Sequence, residues 1–200
     1  PDHEIADAQR LLDWLAQRPE VRLDGPGDPR VGVTGGSYGG ALSLLLAGYD
    51  QRVDAIAPVI TWNDLGQALF PNAATPTDLP VDTPARTAFA PDGVFKRGWA
   101  GVFFSAGLGP AQRGGATPTG PATCGRFREE ICVGYTEAAT TGRPSPALTE
   151  LLRLSSPASV TDRITAPTLL VQGEADTLFG LDHADANARQ IAANGTPVSM

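Results

Sequence analysis

Lysine, methionine, cysteine and histidine are nearly absent from this sequence. There is one lysine, Lys96, one methionine, two cysteines and two histidines. Fifteen basic residues stand against 22 acidic ones, for a formal net charge of −7. That balance offers no basic patch, so nucleic acid is not an expected partner. The cysteines, Cys124 and Cys132 in "TCGRFREEICVG", match no zinc-ligand spacing and have no histidine beside them. A local disulfide and two free buried thiols both fit them. No apolar run approaches the length of a membrane span.

The residues that are present are those of a globular chain. Apolar residues make up 42% and charged residues 18% of the 200. That length suits one domain with a core, or one core plus an insertion. The opening "PDHEIADAQRLLDWLAQRP" reads as an amphipathic helix with Ile5, Ala8, Leu12 and Leu15 on one face, and not as a signal peptide. With no initiator methionine, it is expected to be an excised piece of a longer product.

A short strand is predicted around Val31–Thr34, after the Gly/Pro turn "RLDGPGDPR". "ALSLLLAGYD" reads as a buried helix and "RVDAIAPVIT" as a buried strand of the parallel-sheet kind. Together they make a βαβ unit and an α/β fold class. From residue 61 to 158 proline and glycine rise, with short helices expected around Pro91–Phe104 and Phe127–Ala139. An insertion of that size reads as a cap. The expected organisation is therefore a core at 1–60, a cap at 61–158, and a return to the core at 159–200. In that last part "APTLLVQGEAD" is a third strand ending at Asp176, "LDHADANARQIAANG" a helix closed by Gly195, and "TPVSM" the start of a fourth strand.

The chemistry is suggested by "VGVTGGSYGG", with five glycines in nine positions. Gly35-Gly36-Ser37-Tyr38-Gly39 fits G-x-S-x-G between a predicted strand and a predicted helix, the context of a nucleophile elbow. In that reading Ser37 is the nucleophile at a helix N-terminus, and the Tyr38 backbone N–H is an oxyanion donor. Gly35 and Gly39 are expected to remove the collisions of a sharp turn. An ordinary glycine-rich turn is the plain alternative. A nucleotide loop is the sharper one, because "TGGSYGGA" nearly matches T-G-x-x-x-G-x-G and Asp54 lies at a ribose-binding distance. Such oxidoreductases carry tyrosine four residues before a lysine, and position 92, four before Lys96, is aspartate.

A serine nucleophile needs a base, and the base needs an orienting acid. Asp176, in a Gly-rich turn after a buried strand, is the favoured acid over a simple turn aspartate. Glu174, Asp182 and Asp64 are fallbacks. His3 precedes the elbow. His183 follows Asp176 by only seven residues and reads as a surface or helix-start residue. The base is expected outside these residues, which would leave the fragment inactive alone. No metal or organic cofactor is implied.

"DAQRLLDWLAQRPEV…RVGVTGGSYGG" and "SSPASVTDRITAPTLLVQGEADTLF" resemble the Xaa-Pro dipeptidyl-peptidase and cocaine-esterase-like (S15/CocE-type) α/β-hydrolases. The resemblance implies a partial α/β-hydrolase fold with a helical cap insertion. It lacks that family's early strands, second oxyanion donor, histidine and C-terminal β domain. It further implies a serine hydrolase of small ester or peptide substrates, with Ser37 as nucleophile and Asp176 as acid. Trp62 either lines the acyl pocket or is a buried structural tryptophan. A non-catalytic hydrolase-like binding module is the remaining alternative.

Overall fold

A computed structural model describes residues 2–73, 91–108 and 124–200. The chain divides into two compact units, Pro1–Leu65 with Arg153–Met200, and Gly66–Leu152. The proline- and glycine-rich stretches at 74–90 and 109–123, which the cap reading drew on, lie outside the described residues.

In the first unit, helix α1 (Asp2–Leu15) buries Ile5 and Leu12, as its apolar spacing predicts. The turn region that follows is a small antiparallel hairpin, β1 (Leu23–Gly25) with β2 (Asp28–Pro29). Gly27 takes the left-handed conformation there, at φ 75°. Strand β3 (Val31–Gly36) runs two residues further than expected and leads into α2 (Tyr38–Tyr49) and then β4 (Val53–Val59). β3 and β4 pair in parallel over six positions, completing the βαβ unit.

After the second unit the chain returns through two 3₁₀ turns, Pro157–Ser159 and Thr161–Arg163. It then forms β5 (Thr168–Leu169), helix α7 (Leu181–Ala192) and β6 (Val198–Ser199). The four-stranded sheet has the order β3-β4-β5-β6, and all its pairs are parallel. β5 is shorter than "APTLLVQGEAD" suggests. Its last link to β4 is a bridge between Val59 and Val171, after which the chain leaves the sheet and turns at Glu174 and Ala175, just before Asp176.

One face of the sheet builds the core. Val31, Val33 and Ile56 meet Ile5 and Leu12 of α1, Leu44 to Ala47 of α2, and Ile191 of α7. Leu44 is fully buried, and a leucine so placed contributes about 1.5–3 kcal/mol. The opposite face carries the small exposed residues Gly32, Thr34, Ala55 and Ser199 beside Leu169. They line an open groove of about 810 Å³.

Among the described residues the second unit is formed by helices: α3 (Leu65–Leu69), α4 (Arg97–Leu108), α5 (Glu129–Thr141) and α6 (Pro146–Leu154). α4 and α5 lie a few residues beyond the two helices anticipated here. α6 was not anticipated, although Leu148 and Leu152 bury one side of it at helical spacing. Phe104 stacks on Tyr135 at 4.1 Å and on Phe127 at 5.2 Å. Cys124 and Cys132 are joined in a disulfide, which resolves the open choice in sequence.

Candidate active site

The glycine-rich turn is sharp. Ser37 stands between β3 and α2 with φ 53° and ψ −115°, a sparsely populated conformation for a residue with a side chain. Holding it costs on the order of 1–3 kcal/mol, so the surroundings must enforce it. The Ser37 N–H donates to the Val59 carbonyl at 2.9 Å. The Ser37 carbonyl accepts from the N–H groups of Gly40 at 3.0 Å and Ala41 at 3.1 Å. It also accepts from the Thr61 hydroxyl at 2.8 Å.

Two glycines permit this packing. A Cβ on Gly35 would lie 2.7 Å from the Gly39 carbonyl carbon, and one on Gly40 would lie 2.9 Å from Thr61 Cβ. Gly39 differs from expectation, because a Cβ there would meet nothing within 4 Å. The closeness on which the turn depends is thus shared by Gly35 and Gly40.

The serine side chain is left available. Ser37 occupies the N-cap position of α2, where serine normally bonds back to the helix, yet its hydroxyl makes no capping bond and is exposed. The Tyr38 N–H, one of the orphan donors of the first turn, meets no acceptor among the described residues. The Tyr38 ring is exposed, and its phenol is pushed up by partial burial and by the Glu4 carboxylate.

Asp176 lies in the turn beyond β5 and is half-buried. Its Oδ1 accepts the N–H groups of Leu178 at 2.8 Å and Phe179 at 2.9 Å. Among the described residues nothing donates to Oδ2. A turn aspartate and an orienting acid are therefore compatible in one residue: one oxygen orders the backbone and the other is left over. Glu174 and Asp182 are exposed, and Asp64 is half-buried.

Trp62 is buried, with its indole N–H donating to the Ser155 carbonyl at 3.0 Å. Its ring lies 6.4 Å from that of Tyr38 and 5.1 Å from that of Phe179. It thus stands between the elbow and the acid-bearing turn. His183 starts α7 as expected but is not a surface residue. It is 5% exposed, its Nδ1 accepts the Asn63 N–H at 3.2 Å, and its ring meets Phe179 edge-on. His3 is exposed on α1. Asp54 lies near the start of β4, away from the elbow, where it accepts the Val31 N–H at 2.7 Å. That is the wrong end of the strand for a ribose.

Thr61, Asn63, Gln172 and Phe179 were not singled out by pattern. Each is an ordinary loop residue in sequence, and only its partner gives it a place.

Residues 1–91 match the family of X-Pro dipeptidyl-peptidases (S15 family). No curated protein sequence matches the chain. Among solved structures, an acetyl xylan esterase from Paenibacillus sp. R4 aligns with TM-score 0.54 and 18% identity, over 98% of this chain and 43% of its own. An acylaminoacyl peptidase from Pyrococcus horikoshii aligns with TM-score 0.53 and 13% identity, over 97% of this chain and 21% of its own. A puromycin hydrolase mutant aligns with TM-score 0.51 and 16% identity, over 97% of this chain and 20% of its own. The chain spans less than half the length of each of these three structures. The fold is that of an α/β-hydrolase, and residues 1–91 are similar in sequence to the X-Pro dipeptidyl-peptidases of the S15 family.

Proposed function

We propose that this chain carries the nucleophile and the acid of a serine hydrolase that cleaves ester or amide bonds, of the X-Pro dipeptidyl-peptidase or acyl-esterase type. The observation that carries this reading is the backbone of Ser37 at φ 53°, with its hydroxyl exposed at the head of α2 and used by no cap. Strain of this kind persists where the surrounding structure enforces it, and it clusters at working sites.

In the proposed cycle the Ser37 hydroxyl oxygen attacks the acyl carbon and its proton passes to a histidine base. The Tyr38 N–H, at the positive end of α2, donates to the acyl oxygen as negative charge develops on it. The tetrahedral species collapses, the base returns the proton to the leaving alcohol or amine, and an acyl-Ser37 ester remains. Water then attacks that ester, giving its proton to the base, and the base returns the proton to the Ser37 oxygen as the acid leaves. The unbonded oxygen of Asp176 would hold the base in its working tautomer.

Neither histidine of residues 1–200 is assigned as the base. His183 is buried with Nδ1 engaged, and His3 is exposed on α1, ahead of the elbow. The reading takes the base from outside these residues, and residues 1–200 alone are expected to hydrolyse nothing. Trp62 is assigned as the aromatic wall behind the elbow. Substrates are small esters or peptides, and Gly66–Leu152 is read as an insertion between β4 and β5 of the sheet.

The test is labelling of the full-length protein with a fluorophosphonate, followed by peptide mapping. The expected result is one adduct on Ser37, absent in Ser37→Ala. A folded full-length protein that takes no label would overturn the reading.

A further inference from the structure

We propose that Thr61 and Gln172 are positioning residues, forming a hydrogen-bonded strut that sets the nucleophile against the acid. The proposal rests on the assignment of Ser37 and Asp176 made above. The strut can be followed atom by atom. The Thr61 hydroxyl donates to the Ser37 carbonyl at 2.8 Å. The Thr61 N–H donates to Gln172 Oε1 at 3.2 Å, and Gln172 Nε2 donates to the Phe179 carbonyl at 2.6 Å. The Phe179 N–H donates in turn to Asp176 Oδ1 at 2.9 Å. Four hydrogen bonds thus run without a break from the nucleophile's own peptide to the acid's carboxylate.

Three features mark this as more than the routine pairing of loop groups. The sheet ladder between β4 and β5 ends at the Val59–Val171 bridge and the bond from the Ile60 N–H to the Val171 carbonyl at 2.7 Å. Gln172 extends the cross-link past that point with its side chain. Ile60, a β-branched residue, adopts φ 43°. That conformation is unfavourable for such a residue, and it turns Thr61 so that its N–H meets Gln172 while its hydroxyl meets Ser37. Thr61 is also 3% exposed, in space that Gly40 leaves open by having no Cβ.

The orientation of the Gln172 amide follows from its partners. Its oxygen faces an N–H and its nitrogen faces a carbonyl, and the flipped amide would set donor against donor and acceptor against acceptor. Thr61 is buried and Gln172 half-buried, so a broken strut leaves partly desolvated groups unpaired on both sides. The Asp176 turn then loses its tie to the elbow.

A positioning role predicts a loss in the chemical step rather than in binding. In the full-length protein, Gln172→Leu and Thr61→Val are expected to lower kcat for an activated ester roughly ten- to a hundredfold, with KM within about twofold. The rate of fluorophosphonate labelling at Ser37 should fall in parallel. Thr61→Ser, which keeps the oxygen, should recover the rate lost in Thr61→Val. Where Gln172→Leu does not fold, Gln172→Glu decides, since it keeps the acceptor for Thr61 and sets an oxygen against the Phe179 carbonyl. Unchanged kcat in these variants, beside an inactive Ser37→Ala, overturns the strut and leaves the hydrolase reading in place. Loss of rate in Thr61→Ser equal to that in Thr61→Val also overturns the strut. Activity surviving in Ser37→Ala overturns the reading beneath it.

Discussion

Ser37 is held by its neighbours' backbones, so the glycines around it are not equivalent. A methyl group on Gly35 would press on the main chain of Gly39 at 2.7–2.9 Å, and backbone cannot swing aside as a side-chain tip can. Gly35→Ala is expected to destabilise the protein by about 1–3 kcal/mol or more. Gly39→Ala points into open space from a helical position and should unfold at the wild-type temperature or slightly above it. Thermal unfolding followed by circular dichroism separates the two, and equal losses would contradict the contact geometry. The motif alone makes both glycines look obligatory. Only the folded turn shows which one carries the close approach.

Between elements, Arg52 ties the end of α2 to α1. Its guanidinium bonds Asp50, 8% exposed, at 2.7 and 2.9 Å, and Asp13 at 2.7 Å. The hydrogen bonds from Arg52 hold the Asp50 carboxyl below its ordinary value of 3.8. A carboxylate depressed in the folded state adds stability that is fully present above its unfolded value. That stability is lost as pH falls through the folded one. Wild-type protein should therefore lose stability below about pH 4. Asp50→Asn should be weaker at neutral pH by about 1.5–3 kcal/mol and show a flatter acid limb. Urea unfolding across that range is the check, and an unchanged acid limb in Asp50→Asn would remove Asp50 from the account. The elements themselves were readable: α1 follows a helical apolar spacing, while α2 and β4 are continuous apolar runs bounded by turn residues. β5 was over-read, because an apolar run shows burial and not the point where a neighbour stops pairing.

For the whole molecule, division into two units means that stability need not be lost in one step. The Cys124–Cys132 bond belongs to the second unit, beside the Phe104, Phe127 and Tyr135 stack. Closing so short a loop is worth about 2–3 kcal/mol in the chain-entropy account, and such bonds persist in oxidising compartments. Reduction with dithiothreitol should lower the transition of the second unit in scanning calorimetry and leave that of the first in place. A shift of both transitions by the same amount would contradict independent units.

What the sequence determined alone was the local chemistry. G-x-S-x-G after a β-branched strand, an aspartate after a buried strand, and amphipathic helices are written in neighbouring residues, so reading along the chain finds them. The tertiary structure decided the rest, because it depends on partners far apart in the chain. His183 is buried with its Nδ1 paired to the N–H of Asn63, 120 positions earlier. Gln172 acquires a role only when β4 and β5 bring Thr61 beside it across 111 positions. Hydrogen bonds act over about 3 Å and leave no trace in periodicity. Which polar residues meet is settled only when the strands that carry them pair.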